Sequence, residues 1–253
     1  MKTYKIAISV LLLIAGLFSL AAFRTSKKTN TSYTGNGFAL IELFTSEGCS
    51  SCLPADELVA RVQKETKDKP VYILAYHVDY WNNLGWKDQF SSAVFSQRQR
   101  QYAAWLNAEV YTPQIVVNGK REFVGSEDGT LHNAIQTGLQ KTDNNSLTFS
   151  NIRIDHSELN VQYQTRGGNA LLIAFVLKSA STQVKHGENG GRTLSHINIV
   201  KSLNAITLHQ PNGNASLHLP EGYNPQTWDI IGFVQNTSTG EVLSAQRITA
   251  QGV

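Results

Sequence analysis

The chain holds two cysteines, Cys49 and Cys52, and they follow an eight-residue run, Phe38-Ala-Leu-Ile-Glu-Leu-Phe-Thr45, that is apolar on both faces except at Glu42. A strand half exposed to water alternates, so a run of this pattern is a buried central strand. Beyond the cysteines, Leu58, Val59 and Val62 recur at helical spacing through about Lys67, and Pro54 is tolerated only close to a helix start. Lys69-Pro70 stops that helix, and Val71-Tyr-Ile-Leu-Ala-Tyr76 is a second apolar strand. The cysteines therefore sit at a strand-to-helix junction in a βαβ unit, expected to be right-handed with parallel strands.

A disulfide across four residues would constrain the unfolded chain by only about 2 kcal/mol, against about 4.7 for a hundred-residue loop, which makes the pair a poor staple. Its position suits sulfur chemistry better. Unpaired N–H groups and partial positive charge at a helix N-terminus stabilise a thiolate. Cys49, ahead of the helix, would attack, and Cys52, in its first turn, would resolve the mixed disulfide. A passive pair and a metal site are the competing readings. A closed zinc site needs four ligands, and the sequence has no second Cys pair or closely spaced His pair, so no metal and no cofactor are assigned. Copper handling by the two thiolates with His77 stays open, because Cu(I) accepts few soft ligands. Glu42 is either a buried carboxylate that could take the proton of Cys52 or a rim residue paired with Lys or Arg. His77, Asp79 and Trp81 follow the second strand and should emerge on the cysteine rim, unless the aromatics simply pack a helix and His77 is a core histidine.

The remaining pattern completes two regions. A Ser-capped helix from Ser91/Ser92 carries Val94, Phe95, Tyr102, Trp105 and Leu106 on one face, with Arg98 and Arg100 read as a solvated face. Two apolar runs around Asn118-Gly119 predict a hairpin between Thr112 and Gly125, and a third helix is expected from Asp128 to Lys141. The order is β-α-β-α-β-β-α. Lys, Thr, Asp, Asn and Ser then crowd residues 141–146, and the helical period vanishes. Seven short strands are expected near 147–155, 158–165, 170–178, 194–200, 203–208, 227–236 and 241–248, an all-β sandwich-like domain. The expected division is an export signal or anchor and leader over 1–29, an α/β domain over 37–141 and a β domain over 147–253. His186, His196, His209 and His218 are scattered through the latter without ligand spacing.

Residues 1–28 combine a basic start, an apolar run from Ile6 to Phe23 and a second basic cluster, the form of an export signal or an uncleaved membrane tether. Either outcome places residues from about 30 onward outside the cytoplasm, as in a periplasmic or extracellular protein, unless the second basic cluster inverts the orientation. The formal net charge is +3, and Lys2 and Lys5 supply two of those charges, so the rest of the chain is close to neutral and nucleic acid is not expected as a partner.

Several long motifs also carry a resemblance. They are Glu42-Leu-Phe-Thr-Ser-Glu-Gly-Cys-Ser-Ser-Cys-Leu-Pro-Ala-Asp56, Tyr76-His-Val-Asp-Tyr-Trp81, Gly85-Trp-Lys-Asp88, Gln97-Arg-Gln99, Tyr111-Thr-Pro-Gln114 and Gly187-Glu-Asn-Gly-Gly-Arg-Thr-Leu194. The chain is similar to an exported family of unknown function within the thioredoxin/glutaredoxin superfamily. That resemblance implies an α/β thioredoxin-like domain, a cis Pro113 lying against the cysteines, and backbone at Thr112 offered to a bound chain. The chain departs from thioredoxins in having Gly48 before the first cysteine and Ser50-Ser51 between the two. The functional expectation is an exported thiol-disulfide oxidoreductase-like protein acting on a client that bears thiols or a disulfide. Its rivals are a static binding or structural module and a copper-handling accessory.

Overall fold

The computed structural model describes residues 37–142 and 145–249. The segment expected to export or tether the chain lies outside them. The described residues form one compact unit. Its first part runs β1 (Ala39–Thr45), a 3-10 turn (Ser50–Cys52), α1 (Leu53–Glu65), β2 (Val71–His77), α2 (Ala93–Leu106), β3 (Gln114–Val117), β4 (Arg121–Val124) and α3 (Asp128–Gln140), the β-α-β-α-β-β-α order expected. Ser92 caps α2 by accepting the Val94 N–H. Asn118 and Gly119 both turn at positive φ between β3 and β4, the conformation for which Asn-Gly is suited.

The all-β part is β5 (Ser146–Asp155), β6 (Glu158–Arg166), β7 (Ala170–Gln183), β8 (Thr193–Thr207), β9 (Asn212–His218), β10 (Trp228–Gln235) and β11 (Val242–Ile248). Two details differ from the sequence pattern. The strands expected at 194–200 and 203–208 are one, β8. Phe175 faces Ser202 while Val176 faces Val200, so Lys201 is the extra residue of a bulge and breaks the alternation without ending the strand. β9 was not anticipated because Asn212-Gly-Asn-Ala-Ser-Leu-His218 has no apolar run; it pairs along one side of β6 at the edge of a small sheet.

Eight strands form one sheet in the order β11-β10-β7-β8-β2-β1-β3-β4, and β5-β6-β9 form a second. β1 runs parallel to β2 and antiparallel to β3. β2, apolar on both faces, also has a neighbour on its other side: it meets β8 in parallel at Ala75 and Ile199. The large sheet thus continues through both the α/β region and the β region that follows the polar stretch at 141–146.

Alternation along β7 shows how the layers stack. Ala170, Leu172, Ala174 and Val176 join Leu40, Phe44, Leu74, Phe95 and Tyr102 under α2, while Leu171, Ile173 and Phe175 face Leu147, Leu159 and Val161 of the small sheet. A strand buried on both sides needs two covers, and these are its two. α1 and α3 cover the opposite face of β1 to β4 through Leu58, Val59, Val62, Leu131 and Ile135. Where the small sheet meets the large one, the Phe149 ring lies on Gly232, and a Cβ there would stand 2.3 Å from the ring. Gly232→Ala is expected to cost about 1–3 kcal/mol through overpacking, read as a lower urea midpoint with an unchanged far-UV spectrum.

Candidate functional site

The cysteine loop is shaped by its own backbone. Cys49 N–H returns to the Ser46 carbonyl at 3.1 Å, and Gly48 N–H donates to Ser46 Oγ at 3.1 Å. A Cβ at Gly48 would stand 3.2 Å from Trp81 Cβ, so a side chain there would press on the aromatic loop. Pro54 lies in the first turn of α1, where its missing N–H costs nothing. Cys49 and Cys52 form a disulfide with their Cα atoms 5.4 Å apart. Thr112 Oγ1 donates to Cys49 Sγ at 3.3 Å and itself accepts from Trp81 Nε1 at 2.9 Å. The Thr112–Pro113 peptide is cis. Both cysteines are fully buried, whereas Ser50 and Ser51 between them are exposed.

Behind the disulfide lies a buried polar cluster. Glu47 donates its N–H to Asp88 Oδ2 at 2.8 Å, and its Oε2 accepts from Trp86 Nε1 at 2.7 Å. Its other oxygen stands 3.6 Å from His196 Nε2, and His196 Nδ1 stands 3.4 Å from Asp56 Oδ2. These separations are long for hydrogen bonds, so the attraction is mainly between charges. Asp56 follows Cys52 by one helical turn and accepts from Thr45 Oγ1 at 3.2 Å. Burial alone would lower the His196 imidazole, but Asp56 and Glu47 outweigh it and push its pKa up to about 9. His196 is therefore a cation at neutral pH, held between two carboxylates. Its ring meets His77 edge-on with centroids 4.8 Å apart. His77 Nδ1 bonds Asp88 Oδ2 at 2.6 Å. Burial would push Asp88 up, yet His77 and the N–H groups of Glu47 and Phe90 hold its carboxyl below the usual carboxylate range.

Of the residues singled out in the sequence, Cys49, Cys52, Thr112, Pro113 and Trp81 come together. Glu42 does not join them. Its carboxylate is bound on the α2 side of the sheet by Arg98 and by the Tyr102 hydroxyl, so it is a structural ion-pair partner and not a free proton acceptor for Cys52. Arg98, read as solvated, is buried because Glu42 needs a counter-charge; Arg100 is exposed as expected. Asp79 accepts from the Ser96 hydroxyl and fastens α2. His77 is fastened by Asp88, and among the described residues no group of three or more His, Cys, Asp or Glu is arranged to hold a metal ion. Glu47, Asp56, Asp88 and His196 were not identified as site residues. The first three stand inside the motifs quoted above, but His196 looked isolated because its partners lie about 140 residues upstream.

A C-x-x-C disulfide between strand and helix, a cis Thr-Pro beside it, and the β2-β1-β3-β4 sheet between helices define a thioredoxin-like protein, here with an added β region. Within that class the chain belongs to the family described as "Protein of unknown function (DUF1223)", whose model matches residues 40–235. A crystal structure of a protein from Agrobacterium tumefaciens is similar in fold over 83% of this chain and 93% of that one, with 24% identity and a TM-score of 0.65. A domain of the outer membrane lipoprotein Omp28 from Porphyromonas gingivalis matches over 41% of this chain and 85% of that one, with 11% identity and a TM-score of 0.24. No curated protein matches the chain.

Proposed function

We propose that this protein is an exported thiol-disulfide exchange protein with Cys49 as its attacking sulfur and Cys52 as its resolving sulfur. The observation that carries the reading is the contact of Thr112 Oγ1, next to the cis Pro113, with Cys49 Sγ at the N-terminal end of a helix. In the oxidising direction, a client thiolate bonds to Cys49 Sγ and the Cys49–Cys52 bond breaks, releasing Cys52 as a thiolate that gains a proton. A second client thiolate then displaces Cys49, leaving an oxidised client and a reduced pair. The reverse sequence passes two electrons from the pair to a client disulfide. Export is supported by the basic-then-apolar start of the chain and by a disulfide suited to an oxidising compartment. Thr112, Pro113 and Trp81 would shape the surface that meets the client.

Cys52→Ser in the reduced full chain is expected to accumulate mixed disulfides with client proteins or with glutathione, while Cys49→Ser accumulates none. Equal trapping by the two variants, or by neither, would sink the assignment. Complete burial of both cysteines specifically favours the rival, a module with a static disulfide. A couple that stays oxidised through a full titration with glutathione would decide for that rival.

A further inference from the structure

The contacts that close over the cysteine loop come from far along the chain. Between β7 and β8, residues 184–192 form a turn bonded to itself. Val184 N–H meets the Arg192 carbonyl, and the N–H groups of Gly190, Gly191 and Arg192 return to the carbonyls of Gly187, Val184 and Asn189. Two side chains of this tip reach the cysteine loop. Glu188 Oε2 accepts the Ser50 N–H at 3.0 Å, and Asn189 Nδ2 donates to the Glu47 carbonyl at 2.9 Å. Ser50 and Glu47 flank Cys49, so the tip grips the loop on both sides of the attacking sulfur. It also rests on the aromatic loop: a Cβ at Gly187 would stand 3.2 Å from Trp86 Cβ, and one at Gly85 3.4 Å from the Gly187 backbone. Asn189 is fully buried, and Glu188 is exposed.

We propose that the 184–192 tip is a gate that must lift before a client reaches Cys49 Sγ, and that the Glu188 carboxylate biases the couple toward the disulfide. This rests on the exchange reading above and supplies its regulation. The gate explains how an exchange centre can have two fully buried cysteines while the serines between them are open to water. The bias follows from charge. Ser50 N–H is one of the free donors at the start of the helical segment, where partial positive charge would favour a Cys49 thiolate. Glu188 occupies that donor with a negative group, which repels a thiolate formed beside it and so disfavours the reduced pair.

The test compares the oxidised full chain with Asn189→Ala and Glu188→Gln, each checked for folding by thermal melting. The first readout is the rate of reduction by a water-soluble trialkylphosphine. Phosphorus attacks one sulfur, the S–S bond breaks, and water supplies the oxygen of the phosphine oxide as both sulfurs become thiols. Asn189→Ala, which loses a buried hydrogen bond of the tip, is expected to be reduced about fivefold faster. Glu188→Gln keeps an acceptor for Ser50 but removes the charge. It is expected to shift the equilibrium with glutathione about two- to fivefold toward the dithiol and to raise thiolate absorbance in the reduced protein. A phosphine rate in folded Asn189→Ala equal to that of the natural chain overturns the gate. Equilibrium and thiolate absorbance both unchanged in Glu188→Gln overturn the bias. If Asn189→Ala does not fold, a shortened tip joining Val184 to Arg192 through two glycines gives the same rate comparison. A natural chain that never exchanges with glutathione removes the proposed function, while phosphine rates and thiolate absorbance, which need no client, still decide the gate and the bias.

Discussion

Arg98→Met is expected to lose about 3–5 kcal/mol of stability, seen as a fall in the urea midpoint of the oxidised protein, because it leaves the Glu42 carboxylate buried without its cation. Glu42 lies midway along β1, opposite Leu74 of β2 and Val116 of β3, with no exposure to water. Arg98 reaches both of its oxygens through Nε and Nη2. The Tyr102 hydroxyl donates to the same carboxylate and receives from Gln235 Nε2 at 3.0 Å. Burial pushes that phenol well above its usual range, so it stays protonated and remains a donor. The guanidinium also lies 5.0–5.6 Å from the ring centroids of Tyr76, Tyr102 and Phe233. The double variant Glu42→Leu with Arg98→Met removes both charges and is expected to be more stable than Arg98→Met alone, since no charge is then stranded. A single variant within 1 kcal/mol of the natural chain would contradict this account.

Stability is also expected to fall by about 3 kcal/mol between pH 6.5 and pH 9.5, through the loss of the His196 proton. Its folded pKa of about 9 lies above the ordinary value of 6.5, so its contribution is fully present below pH 6.5 and fades as pH rises through 9. Above that point Glu47 and Asp56 face a neutral ring, with Asp88 and His77 packed close by and little water to screen them. Urea midpoints measured across this interval should decline for the natural chain. His196→Gln should start lower and decline less. Equal slopes for the two proteins would show that another group carries the pH dependence.

The parts of this fold readable in the sequence were those that depend on local pattern. The two-faced apolar runs of β1 and β2, Pro54 near a helix start and Asn118-Gly119 between two strands each have a local cause, and the α/β order follows from them. What lay hidden depends on contacts between distant segments. Arg98 looks like a surface residue until Glu42, fifty-six positions earlier, is seen to need it. His196 lacks any ligand spacing because its two carboxylates stand at 47 and 56. β9 leaves Asn212, Asn214, Ser216 and His218 exposed on one face and has Gly213 and Ala215, beside Leu217, on the other, so its pattern gives little strand signal. The cysteine pair itself was legible. The Gly187-Glu-Asn motif was visible too, but nothing local said what it touches.

The separation between that motif and the cysteines gives the gate a place in time as well as in space. Glu188 follows Ser50 by 138 positions and Asn189 follows Glu47 by 142. Synthesis runs from the N-terminus, so the Cys49–Cys52 segment is complete well before residues 184–192 are added. The proposed gate is thus the last part of the site to arrive, and Glu188 and Asn189 can bond to Ser50 and Glu47 only once the cysteine loop exists.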